Sequence, residues 1–212
     1  MLHYNFITVE GNTGAGKTSL AQRLAQDYGG KLILETFADN PFLADSYAQP
    51  EAFAFRNEVY FLMDRVEHFK QEIQHLPLYN SLHISDYVFE KSLLYAKVTL
   101  PDIEYQLFER VFNMVHNQIP LPELLIYVHS TPDRLIHNIR KRGRMFEQVV
   151  RRQYLQDVED VYFNYFEDNK HQLRILIVHA DDIDFVHNEN DYHKIVEALQ
   201  HHYLPGIHDL RF

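Results

Sequence analysis

Residues 9–24, VEGNTGAGKTSLAQRL, join an apolar run to an amphipathic run through three glycines in six positions. Within them, Gly11-Asn12-Thr13-Gly14-Ala15-Gly16-Lys17-Thr18 fits the pattern GxxxxGK[ST]. That pattern marks a phosphate-binding loop when it follows a strand and opens a helix. The glycines let successive backbone N–H groups turn inward as an anion nest. The helix that begins there adds the positive end of its dipole. Lys17 then reaches the outer phosphates of a nucleoside triphosphate, and the Thr18 hydroxyl is placed for Mg²⁺. Ser19, the next residue, belongs to the same expected donor site. The motif leaves open what receives the phosphate.

Outward from the loop, short apolar runs alternate with helical patterns. Residues 4–9, 31–35, 82–85, 124–129 and 174–179 read as buried strands. Residues 19–26, 52–75, 102–116, 132–141, 147–167 and 191–202 carry helical periodicity. Strands alternating with helices predict an α/β fold, a parallel sheet with helices on both faces. Right-handed crossovers bring the C-terminal ends of all strands to one edge, where ligands bind. With 212 residues and no repeat, low-complexity tract or Gly/Ser linker, the chain reads as one domain, residues 1–212.

Composition removes several classes. The 46% hydrophobic content is enough for a core, and 14 Tyr and 15 Phe suit packed helices and apolar pockets. A net charge of -10 argues against a nucleic-acid polymer as partner, because a phosphate backbone calls for a basic face. No run approaches the roughly 18 apolar residues of a membrane helix. With no signal-like segment, the expectation is a cytoplasmic protein without a membrane partner. There is no cysteine, and the 14 histidines scatter without zinc spacing.

The expected strand ends supply further candidates. Glu35, beside the phosphate loop, is placed to take a proton from an attacking hydroxyl, the alternative being a surface glutamate. Asp86, after the third strand, is a candidate Mg²⁺ ligand together with Thr18. Arg140, Lys141, Arg142 and Arg144 put four cations into five residues of an acidic chain. They read either as a solvated helix end or as a lid, hinged at Gly143, that closes on transferring phosphate.

Together, "GNTGAGKTSL", "DNPFL", "FRNEVYFLMDR", "RGRMFEQ", "YL" at Tyr154-Leu155 and "DIDFVHNENDY" resemble the deoxynucleoside kinase family, in particular its bacterial deoxyadenosine/deoxyguanosine kinase branch. The likeness spans nearly the whole chain. It implies a five-stranded parallel sheet, a P-loop kinase fold with an arginine-bearing lid, and a homodimer. It implies transfer of the ATP γ-phosphate to the 5′-hydroxyl of a deoxynucleoside, with a purine favoured, ATP and Mg²⁺ as cofactors, and Glu35 as base. By the same likeness, Tyr47 and Glu147 hold the sugar 3′-hydroxyl, and Arg65 lies near Glu35 and the base pocket. Arg142 and Arg144, with Arg140, meet the donor phosphates, and Asp184-Phe185 cradles the donor adenine. Phe55 is a candidate for stacking on the nucleobase, or for ordinary core packing.

Two departures from the family pattern stand out. Where a Gln usually reads the base edge, this chain has Glu58. An ionised Glu only accepts hydrogen bonds, so an edge offering both a donor and an acceptor needs Glu58 protonated. After Asp86 the usual Arg is Tyr87, and Lys91, one helical turn on, is the nearest substitute cation. Two other functions share the loop: a nucleoside monophosphate kinase of the thymidylate type, and a nucleotide-binding regulatory module. Against the first, residues 36–47 contain no Lys or Arg for an acceptor phosphate.

Overall fold

The computed structural model describes residues 2–35, 40–73, 81–116 and 119–212. Six parallel strands form one sheet: β1 (Phe6–Gly11), β2 (Lys31–Ile33), β3 (His83–Ser85), β4 (Leu124–His129), β5 (Arg174–His179) and β6 (Gly206–Leu210). Their spatial order is β2-β3-β1-β4-β5-β6. The expected count of five is therefore corrected to six. The extra strand, GIHDL, is a partly exposed sheet edge paired only with β5, so it lacks the continuous apolar run that marks a buried strand.

The helices are α1 (Lys17–Tyr28), α2 (Leu43–Ala48), α3 (Pro50–Ile73), α4 (Lys91–Thr99), α5 (Asp102–His116), α6 (Pro132–Arg142), α7 (Arg152–Asn169) and α8 (Glu189–Leu199). The helix expected over 147–167 starts at Arg152 instead, and a separate 3₁₀ turn, Met145–Val149, precedes it. The last two positions of the helix expected over 52–75 lie outside the described residues. The short α2 and α4 were not expected. Neither shows the long apolar periodicity that betrays a helix in sequence.

Alternation along β4 explains how the sheet is covered. Leu124, Ile126 and Val128 join Leu20, Leu24, Leu135, Ile139, Ile195 and Leu199 in a core under α1, α6 and α8. Leu125 and Tyr127 point to the other face, against Val158, Tyr162 and Phe166 of α7. A third cluster, Leu62, Val66 and Phe69 of α3 with Phe108 and Phe112 of α5, closes that face beside β2 and β3. Helices thus lie on both faces, as the alternation of elements requires.

Strand β1 has β3 on one side and β4 on the other. Chain connections diverge from it in both directions, which opens a crevice at its C-terminal end. The loop leaving β1 therefore enters the crevice directly. Gly11 has φ 148, and a Cβ there would stand 2.5 Å from the Val128 carbonyl oxygen. No other residue fits between the two strands.

Candidate active site

The loop from Gly11 to Gly16 runs straight into α1, whose first residue is Lys17. Gly16 has φ 92, and a Cβ on it would meet the Phe185 ring at 2.9 Å. Phe185 is therefore a wall of the loop, held also by the Arg23 Nη1 bond to its carbonyl at 3.2 Å. Asn12 turns away from the crevice: its Nδ2 donates to the Leu155 carbonyl at 2.7 Å, and its Oδ1 accepts from the Thr13 N–H at 3.1 Å. Asn12 thus clamps the loop to α7. Lys17 Nζ donates to the Asn12 carbonyl at 3.1 Å. Burial, with Lys91 nearby, brings the Lys17 ammonium down to about 8, although Glu10, Glu35 and Asp86 oppose the shift.

Asp86 ties the loop to the neighbouring strand. Its Oδ2 accepts from Thr18 Oγ1 at 2.6 Å, and its Oδ1 accepts from the Glu35 backbone N–H at 2.7 Å. The expected metal pair is thereby side by side. Among the described residues, no group of three or more His, Asp or Glu side chains is arranged to hold a metal ion alone. Two protein oxygens suit Mg²⁺, which takes one or two protein ligands and completes its shell with phosphates and water.

Glu35 sits two residues beyond β2 and is not a solvated surface group. Its Oε1 accepts from Arg65 through Nε at 3.1 Å and through Nη2 in a shorter contact, while its Oε2 accepts from Lys91 Nζ at 2.5 Å. Arg65 is fixed in turn by Nη1 donating to Ser92 Oγ at 2.7 Å. Burial would raise the Glu35 carboxyl. Lys91 and Arg65 outweigh burial and hold it well below the usual carboxylate range. Lys91 thus supplies a cation here, and Tyr87 does not: its hydroxyl pairs with His68 Nδ1 at 3.0 Å inside the core.

These groups open into a cavity of about 580 Å³. Its lining includes Lys17, Thr18, Glu35, Tyr47, Glu58, Arg65, Asp86, Lys91, Arg142, Arg144 and Glu147, so most of the sequence candidates meet in one place. Glu58, on α3 between Ala54 and Phe61, is only 3% exposed. Its Oε1 accepts from Asn57 Nδ2 at 3.2 Å and from Thr99 Oγ1 at 3.3 Å. Burial pushes its carboxyl up to about 7; Arg65 and the two hydrogen bonds oppose this, and Glu35 adds to it. Tyr47 packs its ring on Phe146 with centroids 5.7 Å apart. Glu147 is buried and accepts from Arg142 Nη2 at 2.5 Å and Arg144 Nη1 at 3.2 Å, so it pairs with these arginines rather than capping α7.

Other candidates fall elsewhere. Phe55 packs against the α3–α5 core, and the aromatic residue that α3 turns into the cavity is Phe61. Arg140, near the end of α6, and Ser19, near the start of α1, are exposed and do not line the cavity. Asp184 binds His187, accepting from its backbone N–H at 3.1 Å. Sequence reasoning missed Asn57, Phe61, Tyr95, Thr99 and Tyr154 as wall residues. A signal existed for Phe61, which lies three residues after Glu58 and four before Arg65 on one helical face. Tyr154 stands out in sequence only within the Tyr154-Leu155 pair, with no role attached, and the fold brings it in from α7.

The comparisons with known proteins follow the same lines. The family model for deoxynucleoside kinases matches residues 7–204. A deoxyguanosine kinase of Bacillus subtilis is 31% identical over 198 residues, 92% of this chain and 96% of its own length. A deoxyadenosine/deoxycytidine kinase of the same organism is 26% identical, covering 97% of this chain and 94% of its own. A solved deoxyadenosine kinase from M. mycoides with bound dATP superposes with a TM-score of 0.79 at 20% identity, over 92% of this chain and 98% of that one. A near-complete family match, relatives aligned over nearly their whole length and a glycine-rich loop facing the Glu35 carboxylate agree: the chain belongs to the deoxynucleoside kinase family.

Proposed function

We propose that this deoxynucleoside kinase moves the γ-phosphate of ATP to the 5′-hydroxyl of a deoxynucleoside, preferably a purine, with Glu35 as the proton acceptor. The observation that carries this reading is the position of Glu35. It lies in the same cavity as Lys17 and Thr18, clamped by Arg65 and Lys91. The donor triphosphate lies along the loop from Gly11 to Thr18, with Lys17 on its outer phosphates. Thr18 and Asp86 are the residues that would hold Mg²⁺, and the ion would supply positive charge beside the transferring phosphate. Phe185, packed on Gly16, bounds the donor side next to Asp184.

Phosphoryl transfer through a loose transition state asks mainly for positioning and charge neutralisation. The acceptor hydroxyl becomes acidic only as its bond to phosphorus forms. A carboxylate held ionised by two cations is a weak base, yet it is always free to take that late proton. Tyr47 and Glu147 hold the sugar 3′-hydroxyl. Arg142 and Arg144, paired with Glu147 at the end of α6, form the lid that turns toward the transferring phosphoryl group. Residues 1–212 act as a single domain built on one sheet. A homodimer is supported by Met63 on α3 and by Ile103, Leu107 and Met114 on α5, large apolar side chains left exposed.

Incubation with γ-labelled ATP and Mg²⁺ against each of the four deoxynucleosides and thymidylate tests the assignment. Label should appear on the 5′-oxygen of at least one deoxynucleoside. Label on the monophosphate alone would replace this reading with a nucleotide kinase, and ATP binding without any transfer would point to a regulatory module.

A further inference from the structure

Glu10 is fully buried on β1, one residue before the loop begins, and the mechanism does not use it. It does not line the cavity, yet both of its oxygens are engaged. Oε1 accepts from the Val88 backbone N–H at 2.8 Å. Oε2 accepts from the Gly11 N–H at 3.1 Å and from the Tyr162 hydroxyl at 2.9 Å. One carboxyl group thus joins the first residue of the donor loop, the segment between β3 and α4, and helix α7. Burying such a group is costly, so one kept away from both solvent and substrate calls for a role.

Each element that Glu10 tethers carries part of the site. Gly11 opens the loop that leads to Lys17 and Thr18. Val88 stands in the chain between Asp86 and Lys91, and its carbonyl accepts from the Lys91 backbone N–H at 3.1 Å. The Lys91 ammonium in turn holds Glu35 Oε2. Helix α7 grips the loop a second time, because its Leu155 carbonyl accepts from Asn12 Nδ2. A path of hydrogen bonds therefore runs from Gly11 through Glu10, Val88 and Lys91 to Glu35. It connects the donor side of the cavity with the proton acceptor. Lower in the same seam, Thr8 Oγ1 and Ser85 Oγ pair at 2.8 Å and join β1 to β3 alone. Burial raises the Glu10 carboxyl, and Lys91, Lys17 and the Val88 N–H oppose the rise. In either charge state both oxygens keep a lone pair for the backbone donors.

Resting on the kinase reading above, we propose that Glu10 is a positioning residue for the transfer: it fixes the start of the donor loop against residues 88–91 and so sets how far the donor phosphates stand from the hydroxyl that Glu35 deprotonates. An amide of the same shape cannot do this. Gln offers one accepting oxygen and one NH₂ donor, so it leaves either the Gly11 or the Val88 N–H facing another donor. The two segments then shift apart, and misplacing reacting groups by about an ångström costs up to about a hundredfold in rate. Binding of either substrate should change little, because Glu10 touches neither.

The test is the single-turnover transfer rate from γ-labelled ATP with Mg²⁺, at saturating deoxynucleoside and well below the melting temperature. In Glu10→Gln that rate should fall at least about tenfold, while KM for the deoxynucleoside and Kd for ATP stay within about threefold of wild type. Thr8→Val, which removes only the strand-to-strand bond, should lower the melting temperature and leave the rate within about twofold. A wild-type rate in folded Glu10→Gln, or a change in KM alone, would overturn the inference and leave the kinase reading standing. So would an equal loss of rate in Thr8→Val, since a loosened sheet would then account for both. If Glu10→Gln does not fold, Tyr162→Phe decides the matter, because it frees Oε2 from α7 with little change of shape. It should slow transfer at least about threefold with KM unchanged, and an unaltered rate would overturn the inference. Failure of the wild type to phosphorylate any deoxynucleoside would sink both readings.

Discussion

Glu35 and Glu58 are the same side chain in the walls of one cavity, the first partly and the second fully buried, and their environments drive them in opposite directions. Glu35 touches two cations and is held ionised far into acid. Among the described residues, Glu58 has an amide and a hydroxyl as its hydrogen-bond partners, and it is lifted by burial to about 7. Burial acts on both; the cations decide. Two carboxyls separated in this way stand in one cavity in different protonation states.

The largest expected effect comes from deleting one side of the contrast. Glu35→Gln should lower kcat by about two to four orders of magnitude, the scale of a lost general base, while ATP binding measured by titration stays near wild type. A variant with near-normal turnover would remove Glu35 from the chemistry. Lys91→Met leaves Glu35 with Arg65 alone. Breaking a buried ion pair costs about 3–5 kcal/mol, visible in denaturant unfolding. The same change should raise the Glu35 carboxyl and bring an acid limb into the pH–rate profile, making Glu35 resemble Glu58.

The effect of Glu58 on stability has the opposite sign. Its carboxyl is raised on folding from 4.5 to about 7, so its favourable contribution is complete below about 4.5 and is lost as pH climbs toward 7. A tenfold change in proton affinity corresponds to about 1.36 kcal/mol, so that loss is of order 3 kcal/mol. Glu58→Gln, which cannot ionise, should therefore stabilise the protein relative to wild type at pH 8 more than at pH 5. Equal differences in melting temperature at the two pH values would show that Glu58 is not raised by burial. The smallest effect belongs to Lys17. Its ammonium, brought to about 8, loses its proton above that pH in the free enzyme. Consequently kcat/KM for ATP should fall by up to about tenfold for each further pH step of one above pH 8, while kcat declines less, because bound phosphate holds the proton on.

Much of this arrangement is legible in the sequence. The glycine-rich loop, the parallel sheet with helices on both faces and the positions of Glu35 and Asp86 after their strands follow from local pattern. The sixth strand is not legible, because a half-exposed edge lacks the apolar run of a buried strand. Sequence alone leaves Phe55 open between stacking on a base and core packing, because helical periodicity says that two faces exist without saying which one looks into a cavity. Phe61, on the same helix, is the residue that does. Arg65 is open, in sequence, to pairing with its helical neighbours Asp64 and Glu67. The structure gives it to Glu35, thirty residues away.

Sequence by itself determined the loop and the helix that follows it, since glycine freedom, the dipole at a helix start and a Lys-Thr pair act over a few neighbouring residues. It also determined that Glu58 differs from an amide in what it can accept or donate. Only the tertiary structure decided the state of each carboxyl. Proton affinity depends on charges and solvent within a few ångströms in space, and the cation Lys91 and the hydroxyl of Thr99 reach their glutamates from 56 and 41 residues away.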